Sequence, residues 1–300
     1  MIRAAVSWRC PALVVAILLT VGAALDAQST SPSTQTVNVE GRAMRVWTAG
    51  LDHRQSGRPV VVLEAGAGEG LETWKPVFGE IAQIAPVLAY DRRGLGGSDP
   101  DSVKPTLRRV AQSLHALLKQ LKVAPPYVLV GHSWGGLLIR AYFDQHIEDV
   151  AGLVFVDAMS ALGPTRAEMA GTAPPEERQK ILEPPALPQI PADTPPGLRA
   201  EYEVVGSEMV NDYPEARSLR IPRGVPIAVA LAAPPGRVKS SGGASSMLGE
   251  NRLAELALTS PKGLFVAAGH VGHLVHRDDP QLVRTLIEHV LKHAETRPAK

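Results

Sequence analysis

The sequence predicts an α/β fold with a doubly wound, mostly parallel sheet, and three observations predict it. Short apolar runs rich in Val, Leu and Ile alternate with segments whose apolar residues recur every three or four positions. The apolar runs are continuous, as expected for strands covered by helices on both faces. With 45% hydrophobic and 20% charged residues among 300, the chain can fill a large core and is no disordered polymer. Strands alternating with helices imply right-handed βαβ units.

Val37–Val39 and Met44–Trp47 predict an opening hairpin around Gly41. Strands are expected at Pro59–Leu63, Val87–Tyr90, Tyr127–Val130 and Leu153–Val156, each stopping at Glu, Asp or Gly. Between them, Leu107, Val110, Ala111, Leu114, Leu117, Leu118 and Leu121 share one helical face, and Leu137, Leu138, Ala141 and Tyr142 repeat that spacing after Ser133. From Ala158 to Pro222 the rhythm breaks. Eleven of these 65 residues are proline, no strand pattern is visible, and Arg199–Tyr213 is the one stretch that predicts a substantial helix. The stretch reads as a lid between two strands, with a disordered loop as the alternative. The β/α rhythm resumes at Val225–Leu231 and Gly263–Ala267. A last helix carries Leu282, Val283, Leu286, Ile287, Val290 and Leu291 and is started by Pro280.

The N-terminus reads differently. Arg3 and Arg9 precede an apolar run from Ala12 to Leu25, with small residues near Ala27, the pattern of a secretory signal peptide over residues 1–27. The run is short for a membrane span, so secretion or a periplasmic location is expected, with an uncleaved N-terminal anchor as the alternative. Residues 28–36 read as a polar tether. Cleavage would remove Cys10, the only cysteine, and leave neither disulfide nor thiolate nucleophile. The 31 basic and 30 acidic side chains balance to +1, so no charge excess points to nucleic acid or an anionic membrane. A small molecule is the expected partner.

The strongest local signal is Gly131-His132-Ser133-Trp134-Gly135, a G-x-S-x-G between a buried strand and an amphipathic helix. A tight strand-to-helix turn would strain the serine backbone and leave no room for side chains at Gly131 and Gly135. The hydroxyl would stand above the strand end, near a helix N-terminus that favours developing negative charge. Serine needs a base. His273 follows the last strand and precedes the final helix, at the same sheet edge; His270, three residues earlier, is its rival. His270, His273 and His276 also spell H-x-x-H-x-x-H, a weak metal pattern because Gly269 and Gly272 break any helix. The base needs an acid to orient it. Asp157 closes the strand at Leu153–Val156, and the loop after the next strand, Ala232–Gly236, offers no carboxylate.

Acyl transfer also needs donors for an oxyanion. The turn Glu64-Ala65-Gly66-Ala67-Gly68-Glu69-Gly70 follows a strand, and the amides of Ala67 and Trp134 would supply them. That turn has neither the lysine of a P-loop nor dinucleotide spacing, so a phosphate cradle is a weak reading. Asp91–Ser98 reads as charged residues pinning a Gly-rich turn.

With these residues in place, residues 37–294 resemble the α/β-hydrolase fold superfamily. Gly131–Gly135 resembles its nucleophile elbow, Ser133, Asp157 and His273 follow its serine–acid–histidine order, and Asp91–Ser98 is similar to its D-R-x-G-x-G-x-S turn. Gly272-His273 with Pro280 resembles its terminal block, which favours His273 over His270. The resemblance implies an eight-stranded type of sheet, a core over 37–157 and 223–294, and a cap at 158–222 inserted after strand six. Ala65-Gly66 stands where many members carry His-Gly.

The expected activity is cofactor-free and metal-free hydrolysis of carboxylic esters through an acyl-enzyme. An amidase or aminopeptidase is the runner-up, with Glu64, Glu69 or Glu72 as an acidic pocket for an amine. A perhydrolase or C–C hydrolase would use the same residues. A binding protein on a hydrolase fold is the non-enzymatic alternative.

Overall fold

The computed structural model describes residues 32–187, 189–240 and 252–294. The signal segment expected at 1–27 lies outside the described residues. Eight strands, β1 (Ser33–Val39), β2 (Arg42–Ala49), β3 (Val60–Glu64), β4 (Val87–Tyr90), β5 (Tyr127–His132), β6 (Val150–Val156), β7 (Ile227–Ala232) and β8 (Leu264–Ala268), form one sheet in the order β1-β2-β4-β3-β5-β6-β7-β8. The β1–β2 and β2–β4 pairs are antiparallel; the remaining neighbours are parallel. The expected tether needs correction. Its residues 33–36 already pair with Thr48 back to Arg45 as strand. An edge strand has one neighbour and leaves polar side chains in water, so hydropathy gave no sign of it.

The central strands are buried on both faces, and alternate residues divide between two cores. Val60, Val62, Leu129, Leu153 and Phe155 face α2 (Leu107–Gln120), α3 (Gly135–Gln145) and the helix Leu253–Thr259. Val61, Leu63, Val130, Val154 and Val156 face α1 (Lys75–Ala82) and the C-terminal helix Pro280–His293. At 25 cal/mol per Å², fully burying one such Val or Leu contributes roughly 1.5–3 kcal/mol, so this sandwich dominates stability. The C-terminal helix starts as its sequence requires, with Pro280 in its first turn and Asp279 accepting from the Leu282 amide at 2.9 Å.

Between β6 and β7 lie four helices: α4 (Arg166–Thr172), α5 (Pro175–Leu182), α6 (Pro196–Val210) and α7 (Pro214–Ser218). The prolines expected to punctuate the segment too often for long helices also start its helices, with Pro175, Pro196 and Pro214 in first turns, where the missing N–H is no loss. Accordingly α6 runs three residues ahead of the expected Arg199–Tyr213. Polar contacts bind the segment to the core. The Glu215 carboxylate accepts from the amides of Leu107 and Arg108 at 3.0 and 2.9 Å, at the start of α2. Arg140, buried in α3, donates to the carbonyls of Ser160, Ala216 and Leu219. Burial pushes its guanidinium down to about 10. Because β3 to β7 are parallel, residues that end them collect at one sheet edge, where open α/β sheets hold their ligands.

Candidate active site

Ser133 stands between the end of β5 and the start of α3 with φ of +51°, in the left-handed region that costs a serine about 1–3 kcal/mol. Main-chain bonds hold it there. Its amide donates to the Val156 carbonyl at 3.3 Å, and its carbonyl accepts from Gly136 and Met159 at 3.0 and 2.8 Å. The flanking glycines are sterically required. A Cβ at Gly131 would sit 2.5 Å from the Gly135 carbonyl oxygen, and one at Gly135 would sit 2.3 Å from that of Glu64.

The structure brings Ser133, His273 and Asp157 together. His273 Nε2 lies 3.0 Å from Ser133 Oγ, and His273 Nδ1 donates to Asp157 Oδ2 at 2.6 Å. The Asp157 side chain is fully buried, whereas that of His273 is 56% exposed. Asp157 also accepts from the Ala232 amide at 3.0 Å and from Arg237 Nη1 at 2.7 and 2.8 Å. Burial alone would raise its carboxyl, but the bonds from His273 and Arg237 and the Arg237 charge outweigh it, leaving it below the usual range. The acid therefore stays ionised opposite the imidazole.

The rival histidines go elsewhere. His270 Nε2 pairs with Asp279 at 2.8 Å in an exposed position, and His276 Nε2 meets Thr73 Oγ1 at 2.8 Å. The three histidines of the H-x-x-H-x-x-H run thus take three separate sets of partners. Burial, and next the neighbouring His132, push His276 down to about 3.

The turn after β3 packs against Ser133: a Cβ at Gly66 would come within 3.2 Å of the Ser133 Cβ. Most of its amides have acceptors. Gly66 donates to Glu69 Oε2 at 3.0 Å, Gly68 to Glu201 Oε2 at 2.7 Å, and Glu69 to the Gly66 carbonyl at 3.1 Å. Among the described residues the Ala67 and Trp134 amides have none, so these two remain available to a ligand. Arg92 fixes the turn from behind. It donates to the carbonyls of Ala65 and Gly66 at 2.9 and 2.6 Å, to Glu64 at 2.8 Å, and bidentately to Glu201 of α6 at 2.7 and 2.8 Å. Its guanidinium lies 5.2 Å from the Trp134 ring centre. Burial works against this cation, but Glu201 and Glu64 hold it charged well above the ordinary range. The D-R-x-G turn is therefore a support for the turn after β3, with its Asp91 buried against Arg45 at 2.6 Å and the Leu71 amide at 2.8 Å.

His132, one residue before the serine, had no assigned role from sequence. It is 1% exposed, with Nδ1 2.9 Å from Glu69 Oε2 and Nε2 2.9 Å from the main-chain carbonyl of His273. The His273 carbonyl only accepts, so His132 Nε2 donates to it. His132 thereby links the His273 loop to Glu69 of the turn after β3. Sequence reasoning also passed over Arg237 and Glu201. No local signal identifies either, because each meets its partners across long stretches of chain.

The acidic pocket expected for a substrate amine is not formed as proposed. Glu64 is buried and committed to Arg92 and Tyr90, Glu69 to His132 and Gly66, and Glu72 is an exposed residue beside Arg45. Beside Asp157 and His273 opens a cavity of about 740 Å³ toward the β6–β7 segment, and its apolar wall includes Met159, Met169, Ile181, Met209 and Tyr213.

The fold is that of the α/β hydrolases. A profile described as alpha/beta hydrolase fold matches residues 58–191. The Bacillus subtilis protein YqjL is 36% identical over 106 residues, 35% of this chain and 42% of its own length, so the chain matches less than half of that relative. Among solved structures, the enol-lactonase of Burkholderia xenovorans LB400 superposes with a TM-score of 0.59 at 19% identity, covering 86% of this chain and 100% of that one. The epoxide hydrolase CorEH superposes with 0.59 at 18% identity, covering 87% and 99%. At such identities the superpositions establish the fold. The chain has the α/β-hydrolase fold.

Proposed function

We propose that the chain is a serine hydrolase acting on carboxylic esters of small molecules. The observation that carries this reading is the continuous chain from Asp157 Oδ2 through His273 to Ser133 Oγ, at 2.6 and 3.0 Å. Ser133 Oγ attacks the ester carbonyl carbon while its proton passes to His273 Nε2. The carbonyl oxygen becomes an oxyanion held by the amides of Ala67 and Trp134. The tetrahedral species collapses, the alkoxide leaves with the proton from His273, and an acyl-Ser133 remains. Water attacks next, giving its proton to His273, and the acid is released with Ser133 restored. Asp157 keeps the His273 Nδ1 proton in place and stabilises the imidazolium.

Met159, Met169 and Met209 of the cavity suit a flexible apolar group, since unbranched thioethers adapt to varied shapes, and Arg166, Arg217 and Arg237 line it beside them. The amine-binding alternative loses its support with the three glutamates already engaged. Residues 158–222 act as the cap over this cavity in our proposal, and residues 1–27 as a leader for secretion.

Fluorophosphonate labelling of the purified protein, with p-nitrophenyl ester turnover on the same samples, tests the reading. Labelling and turnover in wild type, both lost in folded Ser133→Ala, are the expected results. A folded wild type that neither labels nor turns over any ester sinks the proposal in favour of a binding protein.

A further inference from the structure

A second group of metal-ligating side chains lies at the opposite end of the sheet. His115 is in the middle of α2, His146 follows the last residue of α3, and Asp149 immediately precedes β6. One ligand atom from each falls within 4.8 Å of the other two, and among the described residues this is the one such group of three. Ser133 and Asp157 sit at the far end of β5 and β6, roughly 20 Å away at the rise of a seven-residue strand.

The His115 and His146 rings lie 3.9 Å apart between centres, stacked with 7° between planes, so one ring turns for both to reach a common ion. Two further features point to a cation. His146 Nε2 is shielded from solvent and has no hydrogen-bond partner among the described residues, a buried orphan that costs about 1–3 kcal/mol unless something binds it. The group also sits at the C-terminal end of α3, where backbone carbonyls favour positive charge. His115 Nδ1 already lies 3.9 Å from Asp149 Oδ2 and 3.3 Å from the Tyr142 hydroxyl.

We propose that His115, His146 and Asp149 form a binding site for a divalent transition-metal ion of the Zn²⁺ class. Two imidazoles and a carboxylate suit Zn²⁺, Ni²⁺ or Cu²⁺ rather than Mg²⁺ or Ca²⁺. Ligand bonds of about 2.0–2.2 Å require the three atoms to close by roughly 1 Å, within reach of side-chain rotation. Water completes the coordination. The ion ties α2, α3 and the entry to β6 together, so its effect is on stability. The site is independent of the proposed reaction and stands or falls separately from it.

The test is titration of the full, chelator-treated protein with Zn²⁺ by calorimetry and thermal melting, repeated with Co²⁺ for its ligand-field absorption. The partner variants are His115→Gln with His146→Gln, Asp149→Asn alone, and a control, His289→Gln with His293→Gln, which removes another close histidine pair. Expected is one ion per chain, an upward Tm shift of roughly 5 °C at a hundredfold excess over Kd, and loss of both in the first variant but not in the control. Asp149→Asn should weaken binding at least tenfold, and it leaves both rings in place should the double variant not fold. In the Co²⁺ sample, histidine coordination is read directly from the wild type, whatever the variants do. Absence of saturable binding, binding unchanged by Asp149→Asn and the double His variant, or binding lost in the control overturns the proposal.

Discussion

Two carboxylate–imidazole pairs flank Ser133 and behave oppositely. In Asp157–His273 the free ring nitrogen faces a hydroxyl, and the imidazole is more than half exposed. In Glu69–His132 the other nitrogen faces a main-chain carbonyl, and the imidazole is buried. A general base must alternate between lone pair and N–H against a reacting atom, which only the first arrangement allows. Toward that carbonyl the second can only donate, so it builds position rather than chemistry. An acid–histidine contact therefore does not identify a base; what lies beyond the distal nitrogen does.

The largest effect should separate the pairs outright. Asp157→Asn removes the acceptor for His273 Nδ1–H and should lower ester kcat/KM by about 10,000-fold in stopped or continuous p-nitrophenyl assays. Were the loss under tenfold, Asp157 would not be the orienting acid. For the second pair, Glu69→Gln should lower kcat by about 10- to 100-fold with KM little changed, because it loosens the His273 loop and the oxyanion turn without removing a reacting group. A loss equal to that of Asp157→Asn would end the distinction drawn here.

A third prediction reaches the histidine beneath both pairs. His276 takes up a proton near 6.5 when unfolded, but only at about 3 when folded. Between those values the unfolded chain binds more protons, so stability is full above about pH 6.5 and falls as pH drops, by up to about 1.4 kcal/mol per unit. Urea unfolding at pH 7, 6 and 5 should show this slope in wild type and a flatter one in His276→Leu. Equal slopes would mean that the buried ring is not the linked group.

The smallest effect concerns Arg237. Its charge helps hold the Asp157 carboxyl low, and stability from an acid so depressed is present above its unfolded value and lost as pH falls through its folded one. Arg237→Gln should thus move the acid-unfolding midpoint up by a few tenths of a pH unit and reduce kcat/KM only a few-fold. With the arginine side chain 39% exposed, a larger shift would show that Asp157 depends on it more than solvent screening allows.

Much of this site was legible along the chain because its determinants are local. Steric exclusion at Gly131 and Gly135 follows from a turn within five residues, and the apolar runs at 60–63 and 127–130 announce strands buried on both faces. Asp157 could be expected since it ends a strand parallel and adjacent to the one that ends at Ser133. Where chemistry depended on partners distant in sequence, the reading failed. Glu64 and Glu69 looked available until Arg92 and His132 were seen to engage them. The prolines of 158–222 looked like helix breakers, because a proline in a first turn and one in a helix interior are identical as sequence.

The sequence by itself determined the α/β class and the serine turn, each from patterns spanning one strand, one turn or one helix, and placed Asp157 at the end of a neighbouring strand. His273 was preferred to His270 on the resemblance of Gly272-His273 and Pro280 to a family's terminal block. Only the tertiary structure decided that Arg92 and Glu201 hold the turn after β3, that His132 Nε2 is taken by a main-chain carbonyl, and that His115, His146 and Asp149 converge. Burial, counter-charge and the identity of a nitrogen's far partner are set by chain segments 30 to 140 residues apart, and no local pattern encodes them.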